Sequence, residues 1–205
     1  MTQTTSGVRA VLSAARIYDS FQDLTGAARA RRRFADEYIR AKPGSRILDI
    51  GCGTGAILDH LPDVEYLGFD LSPAYIDTAR KRFGARGTFS CGDVNRTKLL
   101  DLPRIDIVLA LGVLHHLDDA GALGLVRLAR ASLQAGGRLV TWDPCYVDGQ
   151  SAFKRLLIGM DRGRNVRDER GYRSLCEAVF GTVEAHIRHD LLRIPYTHAI
   201  LECRP

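Results

Sequence analysis

The chain of 205 residues contains no apolar run of about 18 residues, the length that a membrane-spanning helix requires, so no membrane span is expected. Its opening, MTQTTSGVRA, has no basic start followed by an apolar stretch, so no secretory signal is read there. The five cysteines (Cys52, Cys91, Cys145, Cys176 and Cys203) are odd in number, widely spread and without a C-x-x-C pair. That pattern argues for reduced thiols in a soluble, cytoplasmic protein over a disulfide frame or a zinc site. Internal repeats and low-complexity tracts are also lacking, and the length suits a single domain with a sizeable core.

Charge is present, and its placement is informative. The net charge is +5. Residues 1–45 carry eight basic and four acidic side chains, and residues 151–174 carry seven and three, so each segment holds +4. The stretch 46–150 between them has eleven basic against thirteen acidic residues. The basic excess therefore flanks a slightly acidic centre.

Along that centre, strands and helices alternate. An Arg-rich amphipathic opening, about 7–41, reads as helix ended by Pro43-Gly44. RILDI is a short apolar run of the kind buried on both faces of a sheet, and Thr54 to His60 reads as helix. VEYLGFD is a second strand, followed by Ser72 as N-cap, Pro73 at the first helical position and helix to about Phe83. GTFSCGD, IDIVLALG and RLVTWD supply three more strands. A helix capped by Asp118 or Asp119 runs to about Leu133 before the last of them, with Gly136-Gly137 as its stop. Residues 151–180 read as helical with an Arg-rich middle, and TVEAHIRHD and THAILECR close the chain as an antiparallel pair. The expected fold is α/β: a seven-stranded, Rossmann-like doubly wound sheet, mostly parallel with an antiparallel last strand and helices on both faces. Within one domain, 1–43 is expected to form a helical lid, 44–143 the cofactor core, and 144–205 the substrate-side insert and last strands.

Ligands of such sheets sit at the carboxyl ends of the strands. Four of the five strand-end residues are carboxylates: Asp49, Asp70, Asp93 and Asp143, with Leu111 the fifth. Between the first strand and helix lies GCGTGA, where Gly51, Gly53 and Ala56 satisfy a dinucleotide pattern and Gly51, Gly53 and Gly55 a methyl-donor pattern. The glycines alone do not decide. Asp49 does, because a carboxylate at the mouth of the turn repels a diphosphate and attracts the ammonium and sulfonium of S-adenosylmethionine. Asp70, nineteen residues after Gly51, is placed to accept from both ribose hydroxyls, and Asp93 from the adenine amino group.

At this point the sequence resembles the class I S-adenosylmethionine-dependent methyltransferases. ILDIGCGTG, YLGFDLSPAYIDTAR, FSCGDV, DIVLALGVLHHL and LQAGGRLVTWD follow one another over about residues 44–143 like the ordered motifs of that family. The resemblance implies cofactor contacts at Asp49, Gly51, Asp70, Leu71, Asp93, Val94 and Leu111. Cys52 and Gly53 belong to the same turn, where small size accounts for the cysteine. Tyr18, in the opening segment, is expected to lie near the methionyl end.

Methyl transfer is an in-line displacement from an already activated donor, so the protein aligns the acceptor, excludes water and removes a proton. His115 and His116 follow the fourth strand and are the candidate acid–base residues. Asp143 and Tyr146 after the fifth strand, Tyr196 and His198 between the last two, and the arginines of 162–173 are candidate acceptor contacts. Arg164 and Arg167 stand out as three apart on one helical face, and guanidiniums point to an anionic small molecule. No ligand spacing supports a metal. A pI near 9.1 raises RNA or protein as an alternative acceptor. The Asn/Asp-Pro-Pro-aromatic motif of base amino methylation is missing, however, and so is an appended RNA-binding module. A non-catalytic cofactor-binding regulator is the remaining alternative.

Overall fold

A computed structural model describes residues 26–93, 104–160 and 163–205. Tyr18, Val94, Arg162 and most of the expected lid lie outside the described residues. The elements alternate as the hydrophobic pattern demands. Helix α1 (Ala27–Phe34) continues as a wider turn over Ala35–Ile39 and leads to β1 (Arg46–Ile50), β2 (Glu65–Asp70) and α2 (Pro73–Phe83). There follow β3 (Thr88–Cys91), β4 (Ile105–Leu111), α3 (Asp119–Ser132) and β5 (Leu133–Tyr146). Helix α4 (Ala152–Gly159), the short β6 (Arg167–Asp168), α5 (Glu169–Glu177), β7 (Thr182–Arg188) and β8 (His198–Arg204) complete the order.

The sheet order is β3-β2-β1-β4-β5-β8-β7, with β6 paired to β5. Strands β1 to β5 run parallel, while β8 is antiparallel to both β5 and β7. Because successive side chains point to opposite faces, the continuous apolar strands supply two cores at once. Leu48, Val108, Leu139 and Leu201 meet α3 and α5 on one face, through Val126, Ala129, Tyr172 and Cys176. Ile47, Leu109, Val140 and Ile200 meet α1 and α2 on the other, through Phe34, Ile76 and Phe83. Each fully buried Leu or Ile contributes roughly 1.5–3 kcal/mol, so neither layer is dispensable.

The expected doubly wound fold is present, with differences that have local causes. The sheet gains an eighth strand, β6. The helix expected after β1 is only a 3-10 turn over Ala56–His60, because Pro62 pushes Leu61 into extended backbone (φ −101°, ψ 150°). Helix α3 stops at Ser132 rather than at Gly136-Gly137: Leu133 is already extended and pairs with Ile105 in β4. The sheet therefore recruits the residues before the glycines. The Arg-rich insert is not one broken helix, since residues 163–166 between α4 and α5 are non-helical.

The strand order reverses between β1 and β4, and the crevice at their carboxyl ends is where this architecture receives ligands.

Candidate active site

The turn after β1 is built to stay open. Backbone N–H groups of Gly51 and Cys52 both donate to the Phe69 carbonyl, at 2.7 and 2.9 Å, which ties the turn to the end of β2. Gly51 has φ 76°, and a Cβ there would stand 2.5 Å from Val113 Cγ2, so only glycine fits. At Gly53 a Cβ would meet nothing within 4 Å, which leaves its face clear for a ligand. Cys52 Sγ packs toward Gly68, and burial first, then the neighbouring Asp49 and Asp70, pushes its thiol pKa far up. A thiol kept protonated is a spacer here, not a nucleophile.

Asp70 closes the other side of the turn. Its Oδ2 accepts from Gly53 N at 2.9 Å and its Oδ1 from Ser72 N at 2.8 Å, which holds the carboxylate at the strand end with lone pairs still to offer. Leu71 beside it is 52% exposed, Leu111 is half-buried at the end of β4, and Asp93 is half-buried just beyond β3.

Asp49 is sealed, with 1% exposure. Tyr66 Oη donates to its Oδ2 at 2.5 Å, whereas Oδ1 has no hydrogen-bond partner among the described residues. Burial, reinforced by the charge of Asp70, raises its carboxyl to about 7 despite the opposing Tyr66 bond. A buried carboxylate without a neighbouring cation among the described residues, two residues before the glycine turn, fits a cationic ligand group. It does not fit a diphosphate.

Across the crevice, His115 is 4% exposed on the 3-10 turn after β4. Its Nδ1 lies 2.8 Å from Asp143 Oδ1, and the same oxygen accepts the His115 backbone N–H at 3.1 Å. Asp143, 1% exposed, therefore sits behind the histidine. The expected acceptor contact is thus placed against the histidine ring, where a sealed carboxylate can orient the imidazole. His116 lies against it, with ring centroids 4.1 Å apart. Gly163 of the insert packs so tightly on His115 that a Cβ there would come within 1.9 Å of Cδ2. Nothing in the sequence pattern singled out Gly163 or Tyr66, because both act through neighbours remote in the chain.

Arg167 does not face an acceptor. Nε and Nη2 hold Asp119 Oδ1 at 3.1 and 2.7 Å, Nη1 donates to the carbonyls of Leu114 and Asn165, and Nη2 to that of Leu117. The whole fork braces the loop that carries His115. The helical spacing assumed for Arg164 and Arg167 is likewise absent, and Arg164 is exposed in the non-helical stretch. Tyr146 lies under Arg155, 4.8 Å from ring to guanidinium. Tyr196 and His198 are buried, with His198 set between the rings of Tyr196 and Trp142 at 5.0 and 5.3 Å.

Away from the crevice, Glu184, His186 and Glu202 bring ligand-type atoms within 4.8 Å of one another. Arg40 and Arg204 already bond these carboxylates, so the group is an ion-pair network on β7 and β8. Among the described residues, no helix is long and apolar enough to cross a membrane.

A glycine turn with acidic strand ends and a histidine–aspartate pair opposite defines an α/β protein for a cationic nucleoside cofactor. Residues 48–139 match the family described as a methyltransferase domain. A malonyl-[acyl-carrier protein] O-methyltransferase of Acetivibrio thermocellus is 34% identical over 124 residues, 55% of this chain and 42% of that protein. Phosphoethanolamine N-methyltransferase 1 of Triticum aestivum is 27% identical over 187 residues, 88% of this chain and 37% of that protein. The chain thus spans about four tenths of these relatives. Human N-acetylserotonin methyltransferase, solved in complex with SAM, superposes with a TM-score of 0.67 at 16% identity, over 93% of this chain and 55% of that one. Residues 48–139 are thus a methyltransferase domain, set in the fold shared by class I S-adenosylmethionine-dependent methyltransferases, whose cofactor is S-adenosylmethionine.

Proposed function

We propose that this methyltransferase acts on oxygen or nitrogen of a small anionic molecule, with His115 as the general base. The observation that carries this is the His115–Asp143 pair at the carboxyl ends of β4 and β5. The cofactor supplies a methyl group on a sulfonium; everything else is the work of side chains. Asp49 faces the ammonium, Asp70 the ribose hydroxyls and Asp93 the adenine, while Gly51, Cys52 and Gly53 let the backbone approach. Leu71 and Leu111 give the base apolar contact. The bound sulfonium would give up its methyl group and keep the electron pair of that bond, and His115 Nε2 takes the proton that the acceptor loses. Asp143 stabilises the resulting imidazolium.

The acceptor is placed against His116, Tyr146 and Arg164, with Tyr196 and His198 shaping the wall behind. An anionic acceptor follows from the +4 carried by residues 151–174 beside a centre that is slightly acidic. The acceptors named for the two relatives, a malonyl and a phosphoethanolamine, each bear an anionic group. The test is a screen of acceptors by release of S-adenosylhomocysteine, with each anionic candidate paired to its neutral ester or amide. Turnover confined to the anionic members is expected. Preference for the neutral members, or for RNA, overturns the reading.

A further inference from the structure

Asp49 is a buried carboxylate with one oxygen on a tyrosine and the other without a hydrogen-bond partner among the described residues. A negative charge in that position is costly until a cation arrives, because water cannot reach it and Tyr66 supplies only one bond. The groups that face it are Tyr66 and Asp70 from β2 and Cys52 from the turn, while β4 sets Leu109 beside it in register. None of the three carries a positive charge. Asp70 instead adds a like charge, and the Cys52 thiol is held neutral. Alone, the pocket therefore favours the protonated acid. With an ammonium held at the turn, acting on the buried carboxyl through a low-dielectric interior, it favours the carboxylate.

We infer that binding of the cofactor's amino-acid end and ionisation of Asp49 are one coupled step, and that the Tyr66 hydroxyl sets the pH at which the coupling falls. On binding, the Asp49 proton leaves to solvent and the ligand ammonium takes over as its partner, so charge inside the pocket is balanced and none is left isolated. Tyr66 donates to the ionised form and so eases the step. Tyr66→Phe removes that donor while keeping the ring packed against Phe89, tilted by 51° with centroids 5.6 Å apart. The inference is consistent with the carboxyl being raised to about 7, which puts the switch inside the range where enzymes work. It rests on the cofactor reading of the turn.

The test is titration calorimetry of the intact protein with S-adenosylhomocysteine, in pairs of buffers of different ionisation heat. At pH 5.5 about one proton should be released per ligand bound, and by pH 7.5 well under half of one. Apparent Kd should rise about tenfold per pH unit below 7. Asp49→Asn should bind with no proton released, and Tyr66→Phe should move the midpoint to higher pH. 5′-Methylthioadenosine, which lacks the ammonium, should bind without proton release. Binding of S-adenosylhomocysteine without proton release at pH 5.5 overturns the coupling and leaves the cofactor reading standing. Failure to bind it at all overturns the cofactor reading itself. Release that persists in Asp49→Asn assigns the proton to another group and ends the proposal. An unmoved midpoint in Tyr66→Phe removes Tyr66 from it. The wild-type titration alone decides the central claim should either variant fail to fold.

Discussion

Two carboxylates at strand ends carry opposite burdens, and their substitutions should separate cleanly. Asp143 Oδ1 meets His115 twice, at the ring and at the backbone N–H. Asp143→Asn can present an amide N–H to Nδ1 and so stabilise the wrong tautomer. It should lower kcat by about 10²–10⁴ and leave cofactor Kd unchanged, read by homocysteine release and calorimetry. An unaltered kcat would exclude His115 as the base. Asp70→Asn keeps an oxygen for Gly53 or Ser72 yet loses the charge that strengthens bonds to ribose. Cofactor binding should weaken by about 2–3 kcal/mol with the melting temperature nearly constant, and unchanged affinity would remove Asp70 from the ribose site. Both aspartates were legible in the sequence because each ends an apolar run. Tyr66 and Gly163 were not, since their meaning lies in contacts with Asp49 and His115 across the sheet, which a linear pattern does not encode.

At the scale of elements, the Arg-rich insert shows what composition reveals and what it hides. The excess of charge after β5 was readable, but which guanidinium is engaged was not. Arg167 finds its partners about fifty residues back, on the Leu114–Asp119 stretch, and a helical wheel cannot anticipate that. Strand pairing likewise drew Leu133 into β5, so that α3 ends where expected but not at the glycine stop signal. Tyr172 Oη completes the brace from α5, donating to the Pro144 carbonyl at 3.0 Å next to Asp143. The insert thus clamps the His115–Asp143 pair from behind. Arg167→Ala should cost about 1–3 kcal/mol of stability, because it strips donors from carbonyls that water reaches poorly. It should also lower kcat more than it raises acceptor KM, since the loop under His115 loosens. Arg167→Lys should recover only part of both losses, lacking the planar fork. A pure KM effect at full stability, seen in kinetics beside urea unfolding, would return Arg167 to the acceptor.

For the whole molecule, the same residues set how stability varies with pH. The clasp between α1 and β7 joins Arg33 and Arg188 to Glu37 and Asp190. Hydrogen bonds from Arg188, then Arg33, hold both carboxyls below their usual range. A carboxyl lowered in the folded state stabilises above its unfolded value and loses that contribution as pH falls. Because Glu37 and Asp190 are 38% and 56% exposed, the effect is small and confined to acid. Asp49 works in the other direction. Its folded value, about 7, lies above the ordinary 3.8, so the native state keeps a proton that the unfolded chain has already released. Its contribution is full below the ordinary value and disappears as pH rises through 7, a swing of about 4 kcal/mol. Free of ligand, the protein should therefore lose stability between pH 4.5 and 8. Asp49→Asn, which cannot ionise, should flatten that slope and become the more stable of the two at pH 8. Saturating S-adenosylhomocysteine should restore the wild type at pH 8 and do far less for the variant, which offers the ammonium no charge. Urea unfolding at both pH values checks this. Equal slopes in the two proteins would show that the buried carboxyl of Asp49 is not the source.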